Sequence, residues 1–217
     1  MKHLYIKTLI ICAMGLLANS PLMAQQSVTI DASQVVSTFS YQDSNSSKNF
    51  DMFGSSDYNA INSGAYSLGY RRTTDMGWIF RGSLGMRRAG ATTIIDETNY
   101  RWDFQYMTLQ VGAGYEFITM DKLGVYATLS PYAAYMLKAN QRLDNEDFDI
   151  KKSGEINAWD FGLQLTPGVQ FVASDFVTLY GEFSMIQGLK NLESEDNGQN
   201  SYNVGYAFTL GLAFTIQ

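Results

Sequence analysis

Cysteine and histidine are nearly missing from this 217-residue sequence: Cys12 and His3 are its only examples, and both lie in the first 24 positions. Beyond them, no thiol nucleophile, thiolate metal site, disulfide or Ser-His relay can be built. Proline is scarce, at 3 residues against 19 glycines, 14 tyrosines and 13 phenylalanines. That balance rules out a linker or a collagen chain and leans toward strands joined by tight turns. The formal charge of −6 has the wrong sign for gripping a phosphate backbone, which argues against nucleic acid as a partner. After residue 24 there is no run of 18 apolar residues, so no transmembrane helix is expected. Gly-rich phosphate loops are missing too, since Gly112-Ala113-Gly114 sits within a strand pattern.

The first segment reads as an address. Lys2 and Lys7 precede the uncharged run Leu9 to Ala18, and Asn19-Ser20-Pro21 breaks it ahead of Leu22-Met23-Ala24. This is the pattern of a secretory signal peptide over 1–24, with cleavage expected after Ala24. The apolar run is too short to anchor the chain, because a spanning helix needs about 20 residues. Cys12 lies inside that run behind the bulky Ile11, which disfavours lipidation. Cleavage would remove two lysines and no acid, leaving 13 basic against 21 acidic residues, a net charge of −8.

What the remainder has in abundance is alternation. From Trp159 to Ala173, one parity reads Trp159, Phe161, Leu163, Leu165, Pro167, Val169, Phe171 and the other Asp160, Gly162, Gln164, Thr166, Gly168, Gln170. The same two-residue period fills Tyr202 to Gln217 and Leu123 to Lys138. It recurs more weakly at Met107–Phe117, Val177–Ile186, Trp78–Arg87 and Tyr66–Arg72, and Val28–Tyr41 adds a strand whose phase the sequence leaves open. Eight strands of this length exceed the five or six residues usual in soluble sheets, and about ten tilted residues cross a bilayer. Short connections at 73–77, 119–122 and 173–175 alternate with longer ones at 42–61, 89–100, 139–156 and 189–201. The expected fold is all-β, an eight-stranded antiparallel up-and-down transmembrane barrel over 25–217.

A soluble lipocalin-type barrel carrying an apolar ligand would also show eight alternating strands, with the oily side inward. The polar face favours the membrane form, because it mixes absent side chains at Gly69, Gly85, Gly112, Gly114, Gly124, Gly162, Gly168, Gly205 and Gly211 with bulky Tyr126, Tyr132 and Tyr180. A narrow eight-stranded interior is filled in that way. The same face carries Arg71, Arg81, Arg87, Glu116, Asp160 and Glu182, expected to pair as an ionic network in the lumen. Glu116 or Glu182 as a catalytic carboxylate is the weaker reading beside structural pairing with Arg81 or Arg87. Trp78, Tyr70, Phe117 and Phe171 near the short turns, with Tyr135, Trp159 and Tyr202 near the long loops, form two aromatic belts.

With these residues the sequence resembles the small outer-membrane barrels of Gram-negative bacteria, in particular the PorT-like and OmpA/OmpX-like eight-stranded proteins of Bacteroidota. The last strand is similar to a barrel-assembly signal through Thr209, Gly211, Phe214 and Ile216, although Gln217 replaces a terminal aromatic. The resemblance implies a location in the outer membrane, outer-membrane lipid and the barrel-assembly machinery as partners, and a monomer. No cofactor or metal is expected. The acidic run Asp144, Glu146, Asp147 and Asp149 lacks a Gly-centred calcium loop and reads as a solvated loop. Phe50, Met52, Phe53 and Tyr58, among Ser and Asn in the first long loop, are the candidate contact residues for an extracellular partner. The expected function is non-catalytic: surface loops for binding or envelope integrity. The narrow interior argues against general porin activity.

Overall fold

A two-residue period held for a dozen residues can satisfy the backbone only if every strand finds two neighbours, and closure of the sheet achieves this without leaving an edge. The computed structural model describes residues 25–43, 58–95, 97–144, 146–152, 154, 156–194 and 199–216. The expected signal peptide, Phe50, Met52 and Phe53 lie outside the described residues. Strands are β1 (Gln25–Asp43), β2 (Asn59–Thr73), β3 (Trp78–Ile95), β4 (Thr98–Met120), β5 (Leu123–Leu143), β6 (Glu146–Asp149), β7 (Trp159–Val172), β8 (Val177–Gly188) and β9 (Gln199–Ile216). Neighbours run antiparallel in the order β4-β3-β2-β1-β9-β8-β7-β5, and a β4–β5 ladder closes the ring of eight. The first and last strands meet from Gln26↔Ile216 to Asp43↔Gln199, while β6 only extends β5 at the rim.

The side-chain parity places the oily set outward. Leu163, Leu165 and Phe208 are 39%, 46% and 56% exposed on the outer wall, while Thr209 on the opposite parity is buried. Strand β1, whose phase the sequence left open, turns Ser27, Thr29, Asp31 and Val35 inward and Ile30 and Val36 outward. An outer wall of exposed Leu, Phe, Val and Ile, with ionic side chains buried behind it, is the inverse of a lipocalin's water-facing exterior, so the soluble-carrier alternative fails. The solvent suited to that wall is lipid.

Local chemistry explains the ladder's details. The β2–β3 turn closes with Gly77 at φ +83°, a conformation that a side chain would strain. Pro131 in β5 and Pro167 in β7 have no N–H to give. Each falls in a two-pair interruption, between Gln110↔Tyr132 and Ala113↔Leu129 and between Leu165↔Met185 and Gly168↔Glu182. Both interruptions keep their register.

Two expected long loops are corrected. Residues 89–100 are mostly hairpin, since β3 and β4 stay paired to Ile95↔Thr98 with Glu97 at φ 65°. Residues 139–143 continue β5, and 146–149 fold back on it as β6. Above the lipid the outer face no longer needs oily residues, so the alternation fades while the backbone ladder continues.

Candidate functional site: a charged lumen beneath an aromatic mouth

Each inward side chain belongs to a parity set, and the ring stacks these sets into tiers. Nearest the short turns, Arg71 of β2 donates to Gln170 Oε1 at 2.6 Å, and Gln170 donates to Glu116 Oε1 at 2.9 Å. The Arg71 guanidinium lies 4.5 Å from the centre of the Tyr126 ring. Glu116 thus meets neither Arg81 nor Arg87 and reaches Arg71 only through an amide.

The next tier holds an ion pair, Arg81 Nη1 to Glu182 Oε1 at 2.5 Å, with Tyr126 donating its hydroxyl to the same carboxylate at 2.7 Å. Beside it Asp31 accepts from Ser67 at 2.7 Å and from the Tyr180 hydroxyl. A neutral layer follows, in which Gln110 donates to Gln164 at 2.7 Å, Gln164 donates to Ser184 at 3.0 Å, and Ser33 and Thr209 share a 2.7 Å bond. The small cavity in this region has a volume of about 50 Å³. It has room for a water or two and for no larger solute.

Highest in the polar lumen, Arg87 lies 3.7 Å from Asp160 and 4.7 Å from the centre of the Tyr132 ring. Asp160, 0% exposed, also accepts from Tyr132 at 3.2 Å and Asn203 at 3.0 Å, and Asn203 donates to the Tyr106 hydroxyl at 3.1 Å. Asp31, Tyr106, Gln170 and Asn203 were not singled out from the sequence. Asp31 lay on the strand of unclear phase, and the other three become recognisable only through their distant partners.

A cross-strand rule organises the filling. Tyr126 faces Gly168, Tyr132 faces Gly162 and Tyr180 faces Gly211 as direct ladder partners. Each ring lies over its glycine, so an added Cβ would come within 2.7 Å of the Tyr126 ring at Gly168 and 2.6 Å of the Tyr132 ring at Gly162. Gly211, read from sequence as part of an assembly signal, thereby also seats Tyr180. Its companions divide by parity, with Thr209 inward and Phe214 and Ile216 outward.

Above the ion pairs the lumen turns apolar. Phe39, Tyr58 and Trp102 pack edge to face with ring centres 5.7–6.1 Å apart, and Phe39 stacks on Phe104 at 5.6 Å. Tyr58, expected as a loop contact, is thus part of the mouth. With Ile150, Ile156 and Leu192 these rings line a cavity of about 460 Å³ whose rim carries Gln141, Glu193 and Ser201. Ser201 donates to Glu193 at 2.7 Å. The acidic run is dispersed: Arg142 forks onto Asp147 at 2.6 and 3.0 Å, Lys152 pairs Asp149 at 3.2 Å, and Asp144 accepts from the Asn99 amide at 3.0 Å. The Arg142 bonds hold the exposed Asp147 carboxyl below the usual aspartate range.

No family model matches the sequence, and no curated protein does. Solved structures do. Neisserial surface protein A is similar at a TM-score of 0.54 and 14% identity, over 89% of this chain and 99% of that one. The outer membrane protein OprG from Pseudomonas aeruginosa is similar at a TM-score of 0.53 and 7% identity, over 89% of this chain and 96% of that one. These likenesses are of fold: the chain closes an up-and-down β-barrel of the kind that those two bacterial surface proteins form.

Proposed function

We propose that the chain is a non-catalytic outer-membrane barrel that holds a binding surface at its long-loop end. The observation that carries this reading is the combination of a lipid-suited outer wall with a lumen closed by ion pairs and Tyr–Gly packing. Such a barrel is too full to conduct solutes and rigid enough to position loops. The contact surface comprises the first long loop, with Phe50, Met52 and Phe53, and the aromatic mouth to which Tyr58 belongs. Residues 1–24 direct export and are removed, the last strand through Thr209, Gly211, Phe214 and Ile216 is read by the barrel-assembly machinery, and the barrel works as a monomer. Kinship with PorT-like barrels of Bacteroidota is part of the same reading, supported by the pattern of that strand.

The test joins location to binding. The mature chain is expected in a carbonate-resistant outer-membrane fraction, migrating faster on a gel before boiling than after. Deleting residues 46–55 should leave that migration intact while abolishing surface binding or envelope phenotypes. A chain that washes off membranes, or a deletion without any surface effect, refutes the proposal.

A further inference from the structure

Six lysines follow residue 24, and four of them, Lys138, Lys151, Lys152 and Lys190, fall in one sector of the long-loop end. Lys122 lies in a short turn at the opposite end, and Lys48 is outside the described residues. The same sector carries acids, of which Asp147 engages Arg142 and Asp149 engages Lys152, so the cations set against the apolar wall are Lys151 and Lys190.

Rings organise the sector. On the outer wall Tyr135 of β5 and Trp159 of β7 are direct ladder partners with ring centres 5.0 Å apart, and Trp159 stacks on Phe161 at 6.1 Å with planes 6° apart. Lys151 Nζ stands 5.2 Å from the Tyr135 ring centre and donates to the Leu137 carbonyl at 3.2 Å. Lys190 Nζ stands 5.8 Å from the Phe161 ring at the other end of the row. Lys138 is exposed on β5 above Tyr135, and Lys152 is engaged by Asp149. A three-ring row flanked by ammonium groups, at the level where the oily wall begins, suits a group with anionic charge above and hydrocarbon below.

The wall beneath supplies the second half. Leu163 and Leu165 continue the β7 face downward, and toward the short turns an apolar groove of about 630 Å³ opens among Val169, Phe171, Leu179, Phe183, Phe208 and Leu210. It exists because Gly181 of β8 puts no side chain on the outer wall.

We propose that this row and groove bind a phosphorylated lipid of the leaflet facing the long loops, with phosphate at Lys151 and Lys190 and an acyl chain along β7 into the groove. The inference rests on the membrane-barrel reading above. Full-length mature chain folded in detergent would be titrated with bis-phosphorylated lipid A, dephosphorylated lipid A, phosphatidylglycerol and inorganic phosphate, following tryptophan emission and retention by native mass spectrometry. At roughly 1 kcal/mol per surface lysine, the Lys151→Gln/Lys190→Gln variant should bind phosphorylated lipid A about 30-fold more weakly. Arg88→Gln, on β3, should bind as the unaltered protein does. Equal binding by the double variant, undiminished binding of the dephosphorylated lipid, or equal binding of phosphatidylglycerol or free phosphate would overturn the proposal. Each variant is compared in its fast-migrating form, which reports the barrel separately. If the double variant does not give that form, Lys190→Gln alone decides, with an expected loss of about fivefold.

Discussion

Glu182→Gln is the most informative single change in the lumen. It keeps shape and removes charge where Arg81 approaches to 2.5 Å, with the two side chains 14% and 3% exposed. The Tyr126 hydroxyl, 2.7 Å from the same oxygen, loses a charged acceptor as well. Deleting one partner of a buried pair strands the other charge and costs about 3–5 kcal/mol. For a domain of this size each kcal/mol moves the unfolding midpoint about 2–4 °C, so a fall of about 6–20 °C is expected. The assay is the temperature at which the fast-migrating form converts to the slow one, with urea titration in lipid vesicles as a check. Arg81→Leu/Glu182→Leu removes both charges and should recover most of the loss, because replacing a buried pair by apolar groups is often near neutral. A coupling below about 0.5 kcal/mol between Arg81→Leu and Glu182→Leu, each also measured singly, or a Glu182→Gln variant as stable as the parent, would refute ionic pairing as what closes this lumen.

Two further comparisons test other parts of the structure. Gly168→Ala pushes a methyl group to 2.7 Å from the Tyr126 ring and should destabilise the barrel by the cost of overpacking, about 1–3 kcal/mol, whereas Gly181→Ala meets no atom closer than 3.8 Å and should not. Equal effects of the two would sink the Tyr–Gly account. Asp147, held below the ordinary aspartate range by Arg142, contributes order to the β5–β6 hairpin above that range and loses it as pH falls through the depressed folded value. Its carboxyl carbon in NMR should titrate at lower pH than in Arg142→Gln, and identical midpoints would contradict the pairing.

Much of the architecture was legible because a strand's period is two and a membrane supplies a uniform outer solvent. Leu163, Leu165 and Phe208 could face only one way if Gln164 and Thr209 faced the other, and eight such segments imply closure. The glycines and tyrosines of the inner face were legible for the same reason: a narrow lumen needs both. Where lipid stops, so does the constraint, which is why the paired arms Ala89–Ile95 and Ala139–Leu143 read as loops.

Partnership was not legible. Parity put Arg81, Arg87, Glu116, Asp160 and Glu182 inside, but which arginine meets which acid depends on register and tilt around the ring. Those bring β3 to β8 for Arg81 and Glu182 and leave Glu116 to an amide. The aromatic mouth likewise joins Phe39, Tyr58, Trp102 and Phe104 from two strands and a loop, a meeting that sequence spacing does not encode. Local alternation thus determined the faces, because each residue needs only its neighbours to choose a side. The closed tertiary structure determined the contacts, because only a completed ring fixes distances across its axis.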